Sequence, residues 1–208
     1  MPYERPVTKR YYDPYELVWY CTANRLGFTP IVRNPAIFAM TDGTGRLELS
    51  TRDALDADDN AGQQIFHEIV HWIVAGEDSF TLRDWGYPLS EEIHWTELVT
   101  LRVQAALADR HGMRDFLAPT GGMREYFDRL GSDPMAPLDD TELEQQIVQA
   151  ALEALARADG PPWAPATHEA LVATAAIRAA LLPFLTHYQT DIPDDSLPSL
   201  WDRAKMPR

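Results

Sequence analysis

The sequence predicts an α+β fold in which a small three-stranded sheet packs on a buried helix and further helices follow towards the C-terminus. Three observations predict it. Short runs of aliphatic and β-branched residues cluster between positions 29 and 50. A helical stretch that is apolar almost all round follows at about 61–75, and helical patterns separated by Gly- and Pro-rich loops occupy most of the remainder. At 208 residues and 45% hydrophobic content the chain can bury one sizeable core, which favours a single domain. Within it, residues 1–112 read as the core that carries the site and 113–208 as a mostly helical extension.

The first helix opens at Asp13 and Pro14 and ends at Gly27, with Leu17, Trp19, Tyr20 and Leu26 available for burial. The strands are "TPIVR" (29–33), "AIFAM" (36–40) and "RLELS" (46–50), and the "TDGTG" between the last two supplies the turn of a hairpin. Leu47 and Leu49 alternate with polar residues, so this strand is expected to have one wet face. Asp59 or Asn60 can cap the next helix, and Gly76 stands where a left-handed residue can end it. A further helix is expected from Ser90 to about Arg110, and two more at about 140–158 and 166–187. "DGPPWAP" separates these two as a rigid turn, Pro183 is expected to end or kink the last, and the tail reads as irregular.

A net charge of −14 and a pI near 4.7 oppose binding to a phosphate backbone, so no nucleic-acid partner is expected. No segment approaches the roughly 20 apolar residues that span a bilayer, and "MPYERPVTKRYYDPYE" lacks the apolar run of a secretory signal. A cytoplasmic protein without a membrane partner is the expectation. Cys21 is the single cysteine, so any metal must be held by His and carboxylate.

Residues 66–72 read "FHEIVHW". Residues four apart on a helix share a face, so His67 and His71 can direct two imidazoles at one metal ion, with Glu68 projecting beside them. Chance alone places His and Glu at this spacing in on the order of 1% of chains of this composition. The surroundings argue against chance. Ile65, Phe66, Ile69, Val70, Trp72, Ile73 and Val74 bury the helix, and a buried His-Glu-His trio without a metal or partner incurs a desolvation cost of several kcal/mol.

A third ligand must come from downstream. Glu91 and Glu92 start the next helix, where acidic residues commonly favour the helix dipole. Glu97, about two turns into that helix and flanked by Ile93, Leu98 and Leu101, is the preferred ligand, because a carboxylate in an apolar stripe requires a charged partner. His94, one turn earlier, is a candidate supporting residue. His111, His168 and His187 fall near helix ends or loops and read as structural or solvated.

The stretch from His67 to Tyr87, "HEIVHWIVAGEDSFTLRDWGY", resembles the bacterial elongation factor P hydroxylase family, whose pattern is HEIxHWxxAG and then LxDxGY. His67, Glu68, Ile69, His71, Trp72, Ala75, Gly76, Leu82, Asp84, Gly86 and Tyr87 carry the match, and Glu97 followed by Gln104 and Ala105 resembles the family's later Glu and Gln-Ala. Thr100 departs from it, standing where the family has a second acidic residue, and "GSDPMAPLDD" and "RPVTKRYY" have no counterpart.

The resemblance implies a zincin-like α+β fold in which His67, His71 and Glu97 bind one divalent metal, Fe(II) before Zn(II). It further implies hydroxylation of a modified lysine on a protein substrate such as elongation factor P, with Glu68 orienting a water or substrate amine and Asp84 and Tyr87 beside the pocket. A His-His-carboxylate set serves an oxygen-activating iron and a hydrolytic zinc equally. The alternative is therefore a zinc metallopeptidase with Glu68 as general base and the 46–50 strand pairing with an extended substrate. A second alternative is a non-catalytic interaction module with a structural metal.

Overall fold

A computed structural model describes residues 12–55, 59–87, 94–119 and 121–185. It is α+β, with six α-helices and one three-stranded mixed sheet among the described residues. The chain divides into two compact units, Met1–Ala175 and Ala176–Arg208.

In the first unit, α1 (Pro14–Arg25) is capped by Asp13, whose carboxylate accepts the backbone N–H groups of Tyr15 and Glu16 at 3.0 Å. Its inner face carries Tyr15, Trp19, Thr22 and Ala23, spaced to fall on one side of a helix. Leu17, expected to be buried, points away from that face and is 41% exposed. Trp19 is fully buried and Tyr20 is half-buried.

The sheet is ordered β1 (Ile31–Arg33), β3 (Leu47–Leu49), β2 (Ala39–Thr41), with β3 parallel to β1 and antiparallel to β2. Leu47 and Leu49 are fully buried, whereas Glu48 lies on the opposite face against Arg46 and Asn34; that face is polar, but with the Glu48 side chain 12% exposed and Ser50 buried it is wet only in part. β3 is the central strand. The expectation that it could pair with a substrate fails, because both its edges are already occupied by β1 and β2. In the connecting turn the Asp42 carboxylate accepts the N–H groups of Thr44 and Arg46.

α2 (Ala61–Ala75) is capped by Asn60, whose side chain accepts the N–H of Gln63 at 2.9 Å, and it ends at Gly76 with φ 93°. It approaches α1 so closely that a Cβ on Gly62 would overlap the Tyr15 ring, which only glycine permits. Beneath its far end, Trp72 gathers Phe28, Phe80, Trp85 and Trp163 into an aromatic cluster with ring centroids 4.7–6.2 Å from its own.

α3 (Trp95–Asp109) begins with His94 as its N-cap, and residues 88–93, including Glu91 and Glu92, lie outside the described residues. Glu97 therefore sits in the first turn rather than two turns into the described helix. α3 packs against α2 and α5 (Glu142–Ala158), with the short α4 (Arg124–Arg129) against its side. Arg102 of α3 is fully buried and donates to Tyr126 Oη at 2.8 Å, to the carbonyls of Pro134 and Ala136, and to Glu144. The Glu144 carboxylate also accepts the N–H of Leu138 at 2.7 Å, so this ion pair anchors the Pro-rich 131–140 loop. Arg157 at the end of α5 donates to the carbonyls of Ile73 and Val74, two of the four that a helix C-terminus leaves unpaired on α2. The helices after residue 112 thus brace the motif helix.

α6 (Ala166–Leu185) runs through Pro183 instead of ending there. At this position proline removes only one bond of the last turn. In the second unit Leu181, Leu182 and Phe184 of this helix are exposed. No described helix is long and apolar enough to cross a membrane. His187 and the tail lie outside the described residues.

Candidate metal centre

α2 and α3 lie side by side and bring His67, His71 and Glu97 together, each offering one ligand atom within 4.8 Å of the others. The Nε2 atoms of His67 and His71 are 2.9 Å apart. Glu97 sets one oxygen 3.2 Å from each, Oε1 facing His67 and Oε2 facing His71. No other cluster of three or more such residues occurs among the described residues.

The hydrogen bonds behind the imidazoles decide which nitrogen faces the cluster. Gln104 donates from Nε2 to the Leu117 carbonyl at 2.6 Å, so its Oε1 end must accept, and it lies 2.8 Å from His67 Nδ1. Thr100 donates its hydroxyl to the Thr96 carbonyl at 3.0 Å, leaving a lone pair for His71 Nδ1 at 3.1 Å. A carbonyl cannot donate, so each chain places the proton on Nδ1 and the lone pair on Nε2. Two Nε2 lone pairs 2.9 Å apart repel unless a cation lies between or beside them. Either a proton or a metal ion meets that need. Glu97 Oε1 is buried and faces His67 Nε2, as suits a ligand atom.

The electrostatics agree. Burial opposes charge on His67, but the neighbouring Glu97 carboxylate outweighs it and raises the imidazole to about 9. Burial likewise opposes charge on Glu97, yet the two imidazoles hold it well below the usual carboxylate range. The donor set, two nitrogens and a carboxylate, fits a divalent transition metal. The cluster stands at the wall of a cavity of about 390 Å³, which His67, Glu97 and Gln104 line together with Asp59, Phe38 and Met123.

Glu68 is placed differently. It is 6% exposed, is not part of the cavity lining, and accepts the indole N–H of Trp85 at 2.9 Å. Asp84 and Trp85 have φ of 47° and 61°, two consecutive non-glycine residues in the left-handed region, at a cost of about 1–2 kcal/mol each. That turn carries the indole beneath α2. Burial, and then the charge of Glu68, raises the Asp84 carboxyl above its ordinary value. Tyr87 donates its hydroxyl to the His71 carbonyl at 3.3 Å, with its ring edge-on to the imidazole, and burial pushes its phenol upward. Asp84 and Tyr87 lie outside the cavity lining; Tyr87 bonds the backbone of His71, whereas Asp84 faces Arg83. His94 caps α3 and bonds Thr96, while His111 and His168 face one another elsewhere, with ring centroids 5.2 Å apart.

Thr100, Gln104 and Trp85 were not singled out as site residues by sequence reasoning. A buried indole must find an acceptor, which is the signal that could have found Trp85. No family model matches the chain, and no curated protein or solved structure matches it.

Proposed function

We propose that this chain is a metal-dependent enzyme in which His67, His71 and Glu97 hold one divalent ion, Fe(II) in preference to Zn(II), and which hydroxylates an amine-bearing side chain of a protein. The observation that carries the reading is the convergence of two oriented Nε2 lone pairs and a carboxylate, with His67 and Glu97 lining a 390 Å³ cavity. The resemblance of His67–Tyr87 to the elongation factor P hydroxylases suggests the reaction, a lysine-type substrate and a zincin-like arrangement of helix and sheet. When bound, an iron ion in such a triad would supply oxygen activation at the coordination positions that the three ligands leave free.

One feature speaks against the zinc peptidase. A peptidase needs its glutamate free to act on the metal-bound water. Here Glu68 is buried and accepts the indole N–H of Trp85. Among the described residues the cavity lining carries the acidic Asp59 and Glu97 and no lysine or arginine, which favours a cationic over an anionic guest. A cavity opening on the cluster also sets it apart from the closed coordination of a structural metal.

The test is metal analysis of anaerobically purified protein together with oxygen uptake in the presence of a lysine-bearing protein such as elongation factor P. Stoichiometric iron and substrate-dependent uptake, both lost in His67→Ala and Glu97→Ala, are expected. Stoichiometric zinc with peptide cleavage that disappears in Glu68→Gln would replace this reading with the peptidase.

A further inference from the structure

Three consecutive carbonyls beyond α3 are held from the two helices that carry the triad. Gln63, one turn before His67 on α2, donates from Nε2 to the carbonyls of Phe116 at 3.2 Å and Ala118 at 3.3 Å. Gln104, two turns after Glu97 on α3, donates to the Leu117 carbonyl between them. The opposite end of that same amide accepts from His67 Nδ1, and the Gln104 side chain is almost wholly buried. Ala118 and Pro119 in turn form a wall of the cavity on which His67 and Glu97 open. An amide group is planar and rigid, so its two ends cannot move independently. A displacement of the Leu117 carbonyl must therefore turn the Oε1 that orients the His67 ring.

We propose that Gln104 is a positioning residue that couples the 116–119 wall of the cavity to His67, so that metal affinity depends on how that wall is held. By reciprocity, a bound metal stiffens the wall around whatever occupies the cavity. The proposal rests on reading His67, His71 and Glu97 as metal ligands. Gln104 acts through His67, and Gln63 serves as a second tether of the same wall, its hydrogen bonds going to Asn60, Phe116 and Ala118.

The test is titration of the full chain with Co(II), read by the visible absorption of the bound ion, in the wild type, Gln63→Ala, Gln104→Ala and the double variant. Gln104→Ala is expected to bind Co(II) about tenfold or more weakly, in line with the loss of a group that orients a ligand. Gln63→Ala is expected to weaken binding severalfold, although it removes no hydrogen bond to the triad. The double variant should be no weaker than Gln104→Ala alone, because the Gln63 effect reaches His67 only through Gln104. Gln104→Glu separates the two ends of the side chain. Its carboxylate still accepts from His67 but cannot donate to Leu117, so whatever its own affinity, binding should become insensitive to Gln63→Ala. This pair carries the test if Gln104→Ala does not fold. The coupling is overturned if Gln63→Ala leaves the affinity unchanged, or if the Gln63 and Gln104 effects simply add. If the wild type takes up no stoichiometric Co(II), or His67→Ala takes it up equally well, the metal reading falls and the proposal falls with it.

Discussion

Trp85 donates its indole N–H to Glu68 at 2.9 Å, with both side chains buried, across a turn in which Asp84 and Trp85 are left-handed. A carboxylate next to His67 is thereby held by a neutral donor that costs backbone strain to deliver. Trp85→Phe keeps an aromatic ring against Phe28, Trp72 and Phe80 but removes the donor. A buried carboxylate stripped of a hydrogen bond costs about 1–3 kcal/mol. Urea unfolding should show a loss of that size, and a variant as stable as the wild type would mean that Glu68 does not depend on the indole.

Thr100 orients His71, and its hydroxyl both donates to the Thr96 carbonyl and accepts from the imidazole. Thr100→Val is close in shape and lacks both functions. Metal affinity should fall by about tenfold to a hundredfold, as for other groups that orient a metal-bound histidine. Calorimetric metal titration measures this, and circular dichroism should show an intact fold.

The contrast between these two residues marks how far the sequence was legible. His67, His71 and Glu97 could be named because helical spacing and an apolar setting are local signals. The caps at Asp13 and Asn60, the helix end at Gly76 and the alternation of Leu47 and Leu49 were readable for the same reason. Thr100 registered only as a departure from an acidic position, and the reason it suffices became visible when α3 was placed against α2. The sheet order was likewise hidden. A hairpin can be read from its turn, but the parallel pairing of β1 with β3 depends on a crossover that no local pattern encodes. Leu17 failed for a simpler reason, since hydrophobicity alone does not say which face of α1 meets the core.

Arg102 and Glu144 form a buried ion pair that ties α3 to α5 and, through the Pro134, Ala136 and Leu138 backbone, to the loop between α4 and α5. Removing one partner leaves the other charged and buried, which typically costs 3–5 kcal/mol. Glu144→Gln should therefore lower the denaturant midpoint far more than a change at the exposed Arg124–Asp128 pair, which is expected to shift it by less than about 1 kcal/mol. Equal effects at the two sites would show that the buried pair does not hold the loop.

The triad should also make metal binding and metal-free stability respond to pH in opposite ways. In the metal-free protein His67 titrates near 9, above its ordinary value of 6.5, so its pairing with Glu97 contributes fully below about 6.5 and is lost as pH rises through about 9. Glu97 is held below its ordinary value of 4.5, so its contribution is present above that pH and is lost on acidification. Metal-free stability from this pair is therefore greatest between about 4.5 and 6.5. Metal binding requires the His67 proton to leave, so affinity should rise by up to about tenfold per pH unit and level off above about 9, releasing about one proton per ion below that point. Calorimetry with Zn(II) in buffers of different ionisation enthalpy counts that proton, and thermal unfolding of the chelated protein at pH 5.5 and 9.5 reads the opposite trend. An affinity that stays flat from pH 6.5 to 8.5 would mean that no proton competes with the metal at His67, and the pairing of His67 with Glu97 would then have to be reconsidered.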